Sequence, residues 1–244
     1  PKEILKKAKP HIGTDHLKRI VTAIRKEIEI LGGKVCFGTT VQSLKIISGR
    51  LCGVITDKGE IPCDVAVLAP GHSARDTFRI LHNQGLSMES KPFSVGVRIE
   101  HNQNDIDHAM YGNIAERGIL GPAEYQLSHR SGNRAVYTFC MCPGGQVVAA
   151  ASGEGQVVTN GMSWFQRDLP NANSALVVSV SAEDFGTGVL DGILFQEKLE
   201  SAAFSAGESG YKAPAQTVAS FLKDGKQNGF GSIVPSYPIG VKEY

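Results

Sequence analysis

The chain has 244 residues, 41% of them hydrophobic and 20% charged, an ordinary composition for a globular protein able to bury a core. Its 25 basic and 24 acidic residues leave a net charge of +1, which gives no electrostatic reason to expect nucleic acid or an anionic membrane as partner. No apolar run approaches the ~20 residues of a bilayer span, and an odd count of five cysteines points to reduced thiols in a cytoplasmic setting.

The first element in the pattern is a helix over residues 14–31. Leu17, Ile20, Val21, Ile24, Ile28 and Leu31 recur at helical spacing. Thr14 or Asp15 is placed to cap its start, and Gly32-Gly33 to end it. A short strand over Lys34–Phe37 is expected next. Strands over Val41–Ile47 and Leu51–Thr56 follow, joined at Ser48-Gly49-Arg50, and Asp57–Glu60 makes a second turn. A brief extended piece leads to a buried strand, Val65–Ala69. That strand meets Pro70-Gly71 and passes into a helix reaching about Asn83, with Ser73 and Asp76 spaced as a capping box.

From Ser94 the texture is β-rich. Val95, Val97 and Ile99 alternate with polar residues, and a short helix over Asn104–Tyr111 is stopped by Gly112. Further strands are predicted at Tyr125–His129, Ala135–Cys142, Val147–Ser152 and Ala175–Val180. A second sizeable helix is expected within Leu190–Ala206 and a short one over Ala215–Leu222. The composition shifts near residue 85. Before it stands an α/β piece with an antiparallel β-meander, and after it a mostly antiparallel, β-rich α+β domain. Both ends read as cut. Pro1 opens a Lys-rich stretch (Lys2, Lys6, Lys7, Lys9) without Met, and the last residues are rich in Pro and Gly, so part of a longer protein is expected.

Several motifs could carry chemistry. In Ala69-Pro70-Gly71-His72-Ser73, a glycine at a strand–helix junction lets a ligand approach backbone N–H groups; it equally serves as a plain turn and cap. Gly153-Glu154-Gly155 and Gly229-Phe230-Gly231 mimic a dinucleotide fingerprint. Each lacks the third glycine and the following helix that a pyrophosphate site needs, and both are rejected. In Phe139-Cys140-Met141-Cys142-Pro143-Gly144-Gly145, two cysteines two apart on a strand are expected on one face. They suit a redox pair, a substrate-side thiol, or simply a buried strand ending in a turn. No second Cys or His pair lies at zinc spacing, so no metal is expected. His72, His101 and His129 are possible acid–base groups, but spacing alone assigns no catalytic base.

Taken together, HIGTDHLKRIVTAIRKEIEILGGKV, VLAPGHSARDTF, KPFSVGVRIEH, FCMCPGGQVVAAAS, NGMS, NANSAL and YKAPAQ, in that order along the chain, closely resemble a family of bacterial FAD-dependent dehydrogenases. These are flavoproteins of the glutathione-reductase-like superfamily, and the resemblance is to their central part.

The resemblance implies a partial FAD-binding domain over residues 1–85, a substrate or cap domain over 86–236, and the start of a return to the FAD domain over 237–244. The Gly-x-Gly-x-x-Gly unit that grips the pyrophosphate would precede Pro1, and a flavin-side glycine-rich segment would follow Tyr244. Ala69, Pro70, Gly71, His72 and Ser73 would then lie beside the cofactor, with Pro70 standing where Thr is usual. Val41 would offer its backbone to adenine, and Cys142, Pro143, Gly144 and Gly145 would form a wall of the flavin or substrate cavity. The implied activity is hydride transfer between a small-molecule substrate and FAD, with an electron donor or acceptor that leaves no mark in the sequence. This chain alone is expected to bind FAD weakly or not at all. The contrasting reading is a non-catalytic α/β module that presents its β-rich domain to a partner.

Overall fold

A computed structural model describes residues 5–6, 11–223, 233–236 and 241–243. Gly229-Phe230-Gly231, Lys2, Lys7, Lys9 and residues 237–240 lie outside the described residues. The chain clusters into two compact units: Pro1–Thr22, Pro92–Ser181 and Gln196–Tyr244 form one, Ala23–Lys91 and Ala182–Phe195 the other. Helices mix with mostly antiparallel sheets, an α+β architecture.

Helix α1 spans Thr14–Ile30, as the periodicity predicts. It ends at the glycine pair, where Gly33 N–H donates to Ile28 C=O at 2.8 Å. Its start is held by contacts outside the helix. Thr14 Oγ1 donates to Ser163 C=O at 3.1 Å, and Asp15 Oδ1 accepts Phe165 N–H at 2.9 Å. Desolvation works against ionising Asp15, but the N–H groups of Phe165, of Asp15 itself and of His16 hold its carboxyl below the ordinary range.

In the unit that contains residues 23–91, strands β1 (Val41–Ile47), β2 (Arg50–Thr56) and β3 (Gly59–Pro62) form an antiparallel meander in that order. Helix α2 (Arg75–Asn83) leads to Gln84, whose amide reads the open edge of β1 as a further strand would. Its Nε2 donates to Leu44 C=O and its Oε1 accepts Leu44 N–H, both at 2.9 Å. The side chain thus satisfies one backbone pair on an edge that pairs with no strand among the described residues.

Three expectations fail in this unit. Lys34–Phe37 is not a strand; Phe37 instead lies under the Arg25 guanidinium, 5.4 Å from ring centroid to Cζ. Ser73 does not cap α2. Ala74 holds the N-cap position with no side-chain hydrogen bond. Val65–Ala69 is not a strand either. It pairs with no strand among the described residues, and Val65 and Val67 are 77% and 88% exposed. An apolar run of this kind settles into a sheet only when neighbours cover both its edges and its faces.

The other unit is built on a four-stranded antiparallel sheet in the order β4 (Phe93–Asn102), β9 (Asn171–Val180), β6 (Arg134–Cys142), β5 (Ser128–Ser131). The hairpin β7 (Gly145–Ala150) and β8 (Val158–Ser163) packs beside it. β8 was not foreseen, and Val158, the residue that spoils the glycine fingerprint, opens it. The strand expected at Tyr125–His129 begins later, at Ser128. Helix α3 (Gln103–Tyr111) follows β4 directly. Asn102 caps it by accepting Asn104 N–H at 3.0 Å, and Gly112 ends it. Beyond β9 come a single turn, α4 (Ala182–Phe185), the helix α5 (Asp191–Ala206), β10 (Ala213–Ala215), α6 (Val218–Lys223) and β11 (Val241–Glu243), the last pairing parallel with β10. None of the described helices is long and apolar enough to cross a membrane.

Candidate functional site

The β-rich unit keeps an unusual amount of polarity in its interior. Asn173 and Ser174 on β9 are 0% exposed, and Gln103, Thr138, Ser163 and Asn171 are buried with them. Burying such groups costs free energy unless each finds a partner, so their partners define what the fold holds in place.

The Cys142–Gly145 turn lies at the centre of this polarity. Gln103 Oε1 accepts Gly144 N–H at 2.7 Å, while Gln103 Nε2 donates to Asp107 Oδ1 at 2.7 Å. The same Asp107 oxygen accepts Ala123 N–H at 2.7 Å. Ser163 Oγ donates to Pro143 C=O at 2.9 Å. Gly144 adopts φ +48°, and a Cβ there would run into the Arg167 carbonyl. The turn is therefore clamped from three sides. Of its four residues, Gly145 lines a cavity of about 410 Å³, together with Asn102, Gln146, Asn171, Val234 and Ser236. Beside it, Glu100 accepts Asn171 Nδ2–H at 3.2 Å and Ser236 N–H at 3.2 Å. Gly144's N–H is committed to Gln103, so that group is not offered to a ligand.

On β4 two further groups stand out. His101 Nε2 lies 2.6 Å from Tyr125 Oη, close enough to share one proton. Burial lowers the His101 pKa, partly opposed by Glu100. Burial also raises that of Tyr125, partly opposed by Ser174 and Arg98. Both rings are therefore biased toward their neutral forms, the condition for a relay with no fixed charge. Arg98, also on β4, donates through Nη1 to Asn173 Oδ1 at 2.6 Å and to Cys140 C=O at 3.3 Å. Gly161 on β8 makes room for it, since a Cβ there would strike both Arg98 and Asn173.

The cysteines depart from the expected pattern. Between Phe139↔Ala175 and Cys142↔Asn173 the register of β6 on β9 shifts, so Cys140 and Met141 together oppose Ser174. This is a β-bulge with Cys140 at φ +47°. It breaks the alternation of a regular strand, leaving Cys140 exposed and Cys142 buried.

The other predicted site residues lie in the meander unit. Val41 opens β1 opposite Thr56. Ala69, Pro70, Gly71, His72 and Ser73 form an exposed loop. Gly71 takes φ +77° with nothing within 4 Å of where a Cβ would sit. This loop leads into the N-terminus of α2, where no side chain caps the helix and Arg75 N–H donates to Ser73 C=O at 2.9 Å.

The His101–Tyr125 pair and the Gln103–Asp107 clamp were beyond sequence reasoning. His101 was visible only as a histidine ending a strand, and its partner stands 24 residues away in sequence. Among the described residues no group of three His, Cys, Asp or Glu side chains gathers to hold a metal.

Antiparallel sheets, helices packed with them and a buried polar cluster make this an α+β protein. Residues 92–244, more than half of the chain, match the family model described as FAD-dependent protein, C-terminal domain-like. The chain belongs to that family. It is also 48% identical over 245 residues to an uncharacterized protein of Clostridium beijerinckii, a match that covers 99% of this chain and 46% of the relative. The chain thus spans about half the length of that relative.

Proposed function

We propose that this chain is the central part of an FAD-dependent oxidoreductase that moves a hydride between a small-molecule substrate and the flavin. Membership of an FAD-dependent family is the observation that carries the reading. When bound, the flavin supplies the redox chemistry, and the protein positions and tunes it. In this reading the Ala69–Ser73 loop and the start of α2 hold one edge of the cofactor, and the Val41 backbone meets adenine. Gly145, at the end of the Cys142–Gly145 turn, lines the cavity of the β-rich unit, which this reading assigns to substrate. His101 and Tyr125 supply a neutral pair able to hold or pass a proton.

The exposed apolar surface supports a longer parent. Val65, Val67 and Leu68, with Ile24 and Ile28 of α1 and Leu31 just after it, are all exposed, and α1 buries none of its residues. Cover for these apolar side chains is what an interaction with further polypeptide would supply. Further chain of the length seen in the Clostridium relative would supply both that cover and the pyrophosphate grip. FAD titration of that longer polypeptide, followed by reduction with an artificial electron donor, tests the proposal. Saturable binding with reversible bleaching of the flavin supports it. A longer polypeptide that takes up no FAD and shows no redox activity makes the chain a non-catalytic module instead.

A further inference from the structure

Arg98 on β4 is held by neutral acceptors and has no counter-charge among the described residues. A guanidinium carries five N–H donors in a rigid fork. Nη1 donates to Asn173 Oδ1 at 2.6 Å and to Cys140 C=O at 3.3 Å, and the same carbonyl lies 3.5 Å from Nη2. These contacts take up the Nη1 end of the group. They leave the parallel pair formed by Nε–H and the outer Nη2–H. Among the described residues no hydrogen bond reaches Nε, and no carboxylate forms an ion pair with Arg98. Nε is not sealed from solvent, as Asn173 Nδ2 is. Glu100, two residues along the strand, accepts instead from Ser236 N–H and Asn171 Nδ2, both at 3.2 Å.

Three costly features converge on this guanidinium. Asn173 is 0% exposed, and with Oδ1 on Arg98 its Nδ2 is buried without a partner, which native interiors rarely accept. Cys140, whose carbonyl takes the second bond, adopts φ +47°, a region that disfavours residues other than glycine. A Cβ on Gly161 would strike both Arg98 and Asn173, so glycine is needed where β8 passes. Strain gathered at one residue points to function. The register adds an apolar neighbour. Arg98 and Phe139 both pair with Ala175, so the three share one side of the sheet, with the small alanine in the middle. Phe139 is 65% exposed.

We propose that Arg98, positioned by Asn173, binds the carboxylate of a small molecule whose apolar body lies over Ala175 toward Phe139. The ligand class is an aryl or alkyl carboxylate. Its two oxygens accept from Nε–H and the outer Nη2–H as a bidentate pair. The site is separate from the cavity that Gly145 lines, and the proposal is independent of the flavin reading.

The isotope-labelled chain is titrated with sodium benzoate, sodium acetate, inorganic phosphate and, at matched ionic strength, sodium chloride, while the arginine Nε–H resonances are followed by NMR. Arg98→Lys identifies the Arg98 signal by its disappearance. That signal is expected to move saturably with benzoate, to respond about tenfold more weakly to acetate, which lacks the apolar body, and to stay in place with chloride. Phe139→Ala is expected to bring benzoate down to the level of acetate. Arg98→Lys keeps the charge but loses the fork, and by calorimetry its benzoate binding is expected to weaken about tenfold or more. An Arg98 signal that benzoate moves no further than chloride overturns the proposal. So does full benzoate affinity in Arg98→Lys, equal affinity for acetate and benzoate, or saturable binding of phosphate with none of benzoate.

Discussion

His101 and Tyr125 hold one proton between them in a partly buried site, and that fixes a pH dependence. Burial depresses the folded pKa of His101 below the ordinary value of about 6.5. Between those two values the unfolded chain binds a proton that the folded chain does not. Stability therefore falls as pH is lowered through that window and is fully present above it. Urea midpoints at pH 7.5 and 5.5 are expected to show a smaller loss in His101→Gln than in the parent chain. An equal loss in both would remove the histidine from the account. Gly144 is the second test at this scale. Its left-handed backbone and the Arg167 carbonyl leave no space for a methyl group. Gly144→Ala is expected to cost about 1–3 kcal/mol from the backbone alone, measured by chemical denaturation. Gly71 is left-handed as well but open on every side, so Gly71→Ala is expected to cost only what left-handed backbone costs an L residue, about 1–2 kcal/mol.

Elements differ in how far their residues specify them. The helix over Thr14–Ile30 and the meander were legible because each is local. Helical periodicity, a glycine stop and short turns decide them within a few residues. Asn104–Tyr111 was legible for the same reason, with Gly112 ending it and Asn102 proving to be the cap. Val65–Ala69 reads as a buried strand because its residues are those of one, yet a strand also needs partners, which are long-range. The bulge at Cys140 has no local signal, since cysteine is not a residue that favours left-handed backbone. Of the candidate site, the Cys142–Gly145 segment was legible as a strand ending in a tight turn. Gly145 does line a cavity, whereas the Gln103 clamp and the Tyr125 partner arise only when distant segments meet. Val67→Asp tests the exposed run at this scale. In this chain the change in stability is expected to stay within ~0.5 kcal/mol, as for other surface positions. In a longer polypeptide that buries the run, burying an unpaired carboxylate is expected to cost several kcal/mol, about 2 at the least. Thermal melts of the two variants against their parents separate these outcomes.

At the scale of the molecule, the family assignment covers the β-rich part of the chain, and the Clostridium relative is about twice as long as this chain. In the proposed function the chain carries one side of a flavin site and further polypeptide carries the other, a reading supported by the exposed apolar residues and by an α2 start that no side chain caps. The most direct measurement is the flavin-to-protein ratio of the longer polypeptide and of this chain, each incubated with excess FAD and passed through a desalting column. The account predicts close to one FAD per longer polypeptide and almost none retained by this chain. A longer polypeptide that emerges colourless would contradict it.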